Sequence, residues 1–70
     1  MKRKTVEKIL AAAGIKAGRI DEGNDEILAW VNGSTLGAAQ LWSLCNRGGF
    51  VELRVDDGDI ILVFQGKEDS

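Results

Sequence analysis

Phe50-Val51-Glu52-Leu53-Arg54-Val55-Asp56-Asp57-Gly58-Asp59-Ile60-Ile61-Leu62-Val63-Phe64-Gln65 carries the clearest pattern in the chain. Two apolar-rich runs flank a polar segment that contains a glycine, the signature of a β-hairpin. A tight turn on Asp57-Gly58 pairs Val55 with Ile60, Leu53 with Leu62 and Val51 with Phe64. All six are apolar and share one face, because strand side chains alternate. A slip by one residue would set Val51 against Gln65 and mix apolar with polar, so the register is well specified. The opposite face is expected to hold Phe50, Ile61 and Val63 beside Glu52 and Arg54. That face is too apolar to stand wholly in water and calls for a cover or a partner.

Upstream, Arg19-Ile20-Asp21 and the run from Glu26 to Val31 flank Gly23-Asn24. Glycine at the first central position suits a type II′ turn, which sets Ile20 opposite Ile27 and Arg19 opposite Leu28. Ile27, Ala29 and Val31 then point one way, Leu28 and Trp30 the other. A strand that is apolar on both faces belongs in the middle of a sheet or is covered on both sides.

Two helices complete the pattern. Val6, Ile9, Leu10 and Ala13 fall at i, i+3, i+4 and i+7, which predicts a helix over Thr5 to Ala13. Gly14 stands where a C′ glycine ends a helix, and Ile15 where a Schellman motif returns an apolar contact to Leu10. After Asn32-Gly33, Ser34 or Thr35 can cap a second helix. Its inward stripe is read as Gly37, Ala38, Leu41, Leu44 and Cys45, with Trp42 on the flank and an exit at Asn46-Arg47-Gly48-Gly49. The fold class expected is α+β, a small antiparallel sheet of two β-hairpins with two short helices, in the order α-β-β-α-β-β. One or both helices pack on one face.

Seventy residues allow one domain, 1–70, in which residues 1–4 and the tail 66–70 are expected to be mobile. A core this small rarely supplies more than about 3–5 kcal/mol. Cys45 is the only cysteine and there is no histidine, so an intrachain disulfide and an ordinary zinc site are both excluded. Self-association is the remaining common support, so a homodimer is weighed from the start. The apolar run of a signal peptide does not follow Lys2-Arg3-Lys4, and no run approaches the ~18 apolar residues of a membrane span. The expectation is a cytoplasmic chain with no membrane partner.

Catalysis is not expected. Without histidine the usual general base is missing, and Ser34, Ser43 and Ser70 have no nucleophile context. Cys45 is placed inward, at a helix end whose dipole opposes a thiolate. Asp21, Glu22, Asp25 and Glu26 bracket one turn and Asp56, Asp57 and Asp59 form the other. Neither segment has the ligand spacing of a calcium loop, so no metal or cofactor is expected. Trp30 and Trp42 are read as core before contact, the alternative being a binding hot spot, where tryptophan is enriched.

Charge is divided unevenly along the chain. Residues 1–20 carry six cations against Glu7, for +5, while residues 21–70 carry three cations against ten carboxylates, for −7. These features lead to an expected function: a non-catalytic protein-binding module, a regulator or inhibitor that docks on a larger protein machine. Small accessory proteins of phages and other mobile elements, inhibitors of host defence nucleases among them, are of this kind. That step comes from what small chains commonly do. The contacts expected are Asp21, Glu22, Asp25, Glu26, Asp56, Asp57 and Asp59 for steering toward a nucleic-acid-handling protein, with Phe50, Ile61 and Val63 as apolar anchor. The alternative is a dimeric nucleic-acid-binding regulator that uses Lys2, Arg3, Lys4, Lys8 and Arg19. The overall acidity and the lack of interleaved aromatic residues weigh against it.

Overall fold

A computed structural model describes residues 2–46 and 49–66. The elements are α1 (Arg3–Ala12), β1 (Ala17–Glu22), β2 (Glu26–Asn32), a 3-10 turn (Gly33–Thr35), α2 (Ala38–Cys45), β3 (Phe50–Asp56) and β4 (Asp59–Gln65). This is a small α+β fold in the order α-β-β-α-β-β, with one antiparallel sheet of strand order β1-β2-β4-β3. The second strands of the two hairpins, β2 and β4, pair in the centre. Residues 1, 47, 48 and 67–70 lie outside the described residues, and with them most of the tail 66–70 and the first of residues 1–4, the two segments expected to be mobile.

Helix α1 begins at Arg3, where an ion pair to Glu7 spans one turn (Nε to Oε2, 3.1 Å). It ends in a Schellman motif: the Ile15 amide donates to Leu10 O at 2.8 Å and the Gly14 amide to Ala11 O at 3.1 Å. Gly14 has φ +73°, a backbone state that glycine adopts at little cost. Leu10 and Ile15 are both buried, as the motif's apolar contact requires.

Both helices lie on one side of the sheet. Val6, Ile9 and Leu10 of α1 and Leu44 of α2 share a buried cluster with Ile27, Ala29, Val31, Leu62 and Phe64. The second hairpin forms around Asp57 (φ +47°) and Gly58 (φ +91°), two positive φ values in succession, as a type I′ turn demands. Val55 faces Ile60 and Leu53 faces Leu62, the expected register.

Several local expectations are corrected. A β-bulge between Phe50 and Glu52 makes Val51 the extra residue, so Phe50 pairs with Phe64 in place of Val51. Phe50 therefore turns to the helix side, where its ring meets Phe64 edge-on at 5.6 Å. In the first hairpin Glu22 faces Ile27, Ile20 faces Ala29 and Arg19 faces Trp30. The turn is thus centred on Asn24-Asp25, closed by the Gly23 amide donating to Glu26 O at 2.8 Å. The shift is two residues, so every side chain keeps its face.

Neither Ser34 nor Thr35 caps α2. Both belong to the 3-10 turn, where Asn32 Oδ1 accepts from the Ser34 amide at 2.9 Å. The helix starts after Gly37, whose amide donates to Gln40 Oε1 at 2.7 Å. Gln40 Nε2 in turn donates to Gly14 O at 2.9 Å, which ties the start of α2 to the end of α1. Cys45 is exposed, not inward, and Leu44 is the buried residue of α2.

Candidate interaction surface

The side of the sheet away from the helices carries Leu28 and Trp30 on β2 and Ile61 and Val63 on β4. Long charged side chains from the outer strands close over this strip. On β1, Arg19 lies against the Trp30 ring, its guanidinium carbon 4.9 Å from the centroid. Asp21 holds that guanidinium in a bidentate pair at 3.1 and 2.8 Å, so the cation sits over an aromatic face with its fork fixed. On β3, Arg54 Nε meets Glu52 Oε2 at 2.7 Å and its Nη2 meets Glu26 Oε2 at 3.2 Å. The hydrogen bond that Arg54 donates to Glu52, reinforced by the negative charges of Glu52 and Glu26, holds the Arg54 guanidinium above its ordinary pKa. Beneath these chains Ile61 and Val63 are buried, because aliphatic stems cover apolar surface while their charged heads stay in water.

The apolar anchor expected at Phe50, Ile61 and Val63 therefore does not form one surface. Ile61 and Val63 are sealed on one side of the sheet, while Phe50 is half-buried on the other. The acidic residues also separate. Asp21, Glu22, Asp25 and Glu26 surround the β1–β2 turn, next to the Gln65 end of β4, while Asp56, Asp57 and Asp59 surround the β3–β4 turn. At the rise of an extended strand the two groups stand about 20 Å apart, at opposite ends of the sheet. The cations of the alternative reading are distributed over α1 and β1, and Arg3 and Arg19 are engaged by Glu7 and Asp21. Among the described residues no group of three acidic or cysteine side chains is arranged to hold a metal ion. No described helix is long and apolar enough to cross a membrane.

The exposed apolar residues are elsewhere. Among the described residues the large ones are Trp42 (72 % exposed), Val51 (57 %), Leu53 (37 %) and Val55 (74 %). Three of the four belong to β3, a strand at the end of the sheet order. Leu53 and Val55 share their face with Leu62 and Ile60, the helix-bearing side. The buried residues of both helices meet side chains of β2 and β4, and neither helix extends its buried cluster over Leu53 or Val55. Trp42 projects from α2 on that same side. In the alternation of an antiparallel ladder closed by a two-residue loop, Leu53 and Val55 turn their backbone N–H and C=O groups outward, away from β4. Both end strands carry a bulge, β1 between Ala17 and Arg19 and β3 between Phe50 and Glu52; among the described residues only β3 of the two exposes large apolar side chains.

Sequence reading missed this surface because pairing β3 with β4 does not fix the place of β3 in the sheet. The signal available was Val51, Leu53 and Val55 recurring at every second position.

No protein-family model, no curated protein and no solved structure matches the chain.

Proposed function

We propose that this chain is a non-catalytic protein-binding module that acts as a regulator or inhibitor by occupying a surface, and that its docking edge is β3. The observation that carries this reading is the concentration of exposed Val51, Leu53 and Val55 on an end strand. An edge offering outward backbone groups and apolar side chains is a template for strand addition. Backbone hydrogen bonds supply adhesion in that mode, and alternate side chains supply selectivity. Trp42, exposed on the same side, adds an aromatic contact of the kind enriched at binding hot spots. The acidic turns at the two ends of the sheet bias the edge toward partners that carry positive charge at matching positions.

The test is affinity capture with the native chain and with Val55→Lys, a substitution that places a charge at the exposed edge. Proteins held by the native chain and released by Val55→Lys support the reading. It fails if the variant retains the same proteins and the Leu53 and Val55 amides exchange equally fast with and without them.

A further inference from the structure

Resting on the reading of β3 as a binding edge, we propose that its occupant is a second copy of this chain, the two β3 strands pairing antiparallel about Leu53. Val51-Glu52-Leu53-Arg54-Val55 is its own complement when reversed. A twofold axis through Leu53 sets Leu53 against Leu53 of the second copy, Glu52 against Arg54, and Val51 against Val55. The opposite charges are directly across from one another, and each contact occurs twice by symmetry.

Neighbouring registers lack this match. A twofold axis about Glu52 sets Glu52 against itself, and one about Arg54 sets Arg54 against itself and Glu52 against Asp56. Like charges directly opposite are destabilising. A slip by a single residue exchanges the faces and sets Leu53 against Arg54. The backbone agrees with the Leu53 register, since Leu53 presents its polar groups outward and so forms the central hydrogen-bonded pair, with Val55 meeting Val51 at the bulge. Glu52 and Arg54 then occupy the non-hydrogen-bonded pair, where opposing side chains approach most closely. The product is a continuous eight-stranded sheet with all four helices on one side. It removes both exposed β3 edges, and it provides the self-association that a small chain without disulfide support often uses.

The experiment is analytical ultracentrifugation of the full chain from micromolar to millimolar concentration, in reductant because Cys45 is exposed. The native chain is expected to dimerise. Glu52→Arg and Arg54→Glu, each alone, create two like-charge contacts per dimer and should weaken it about tenfold or more. An equimolar mixture of the two variants restores complementarity and should recover the native affinity as a heterodimer. On the native chain, the Leu53 and Val55 amides should exchange more slowly as concentration rises, a readout that needs no variant.

A native chain that stays monomeric throughout overturns the proposal. So does a dimer indifferent to both reversals, or one in which the Leu53 and Val55 amides gain no protection. If the chain is monomeric yet Val55→Lys still releases captured proteins, self-pairing fails and the docking edge stands. If the chain is monomeric, Val55→Lys releases none of the captured proteins and the Leu53 and Val55 amides exchange equally fast with and without them, both fall.

Discussion

Arg54 on β3 reaches over β4 to Glu26 on β2, Nη2 to Oε2 at 3.2 Å, and the path crosses the sheet above Val63. Both side chains are close to half exposed, so the ion pair itself contributes little. Its weight lies in the arginine stem, which helps to keep Val63 out of water on a side of the sheet that the helices do not cover. Arg54→Met should therefore cost less stability than Arg54→Ala, although both lose the charge. Glu26→Gln should have the smallest effect of the three. Urea denaturation of the three variants gives the ranking, and a penalty for Arg54→Met equal to that for Arg54→Ala would show that charge dominates.

Leu44 and Trp42 are two residues apart on α2 and should behave oppositely. Leu44 is fully buried and is the point at which α2 enters the core. Leu44→Ala should cost about 2–5 kcal/mol, the range for a buried leucine truncation. That is comparable with the ~3–5 kcal/mol a core of this size supplies, so the variant should be largely unfolded at 37 °C by circular dichroism. Trp42→Ala removes a larger side chain from the surface and should shift stability by no more than about 0.5 kcal/mol.

Two glycines give separable costs. At Gly66 an added Cβ would lie 2.9 Å from Glu26 N and 3.0 Å from Glu26 C, against backbone that cannot swing aside. The Gly66 amide also donates to Asp25 O at 2.9 Å. Gly66→Ala should destabilise by about 1–3 kcal/mol through overpacking. At Gly58 there is open space around the added atom, so the cost of Gly58→Ala is conformational, about 1–2 kcal/mol for a left-handed φ. Gly58→Asn, which tolerates that φ, should recover most of it, whereas Gly66→Asn should be worse than Gly66→Ala. Thermal melts of the four variants distinguish the two causes.

Cys45 offers a direct check on how α2 sits. Because its side chain is exposed, a thiol reagent such as DTNB should modify it in the native protein about as fast as in urea. Native-state protection by tenfold or more would place Cys45 inside the core and contradict the observed packing.

The hairpin at Asp57-Gly58 and the Schellman turn at Gly14 could be read directly from the sequence. In both, one glycine fixes the backbone and the flanking apolar spacing fixes the partners. The first hairpin was harder to place. Gly23-Asn24 and Asn24-Asp25 both suit a tight turn, and a two-residue shift leaves every side chain on its original face, so alternation alone is silent. The bulge at Val51 is equally silent, since one extra residue in a strand leaves no mark in composition, yet it moves Phe50 across the sheet. Helical periodicity placed Leu41, Leu44 and Cys45 inward together. The eight-residue helix presents a narrow contact, and only Leu44 is fully enclosed. The candidate surface depended on strand order, a long-range property that no local pattern encodes. The acidic turns were legible as turns, but their separation to opposite ends followed only once β2 and β4 were seen to pair.

That central pairing has a consequence for synthesis. One of the two central strands, β4, is also the last of the four that the ribosome makes, so a nascent chain that has released β1, β2 and both helices still lacks part of the surface they rest on. Until β4 emerges, Ile27, Ala29 and Val31 have no neighbour on their inner side. The core is therefore completed only at a late step, and a message cut short before Asp59 yields a chain without Leu62 and Phe64, the β4 members of the buried cluster.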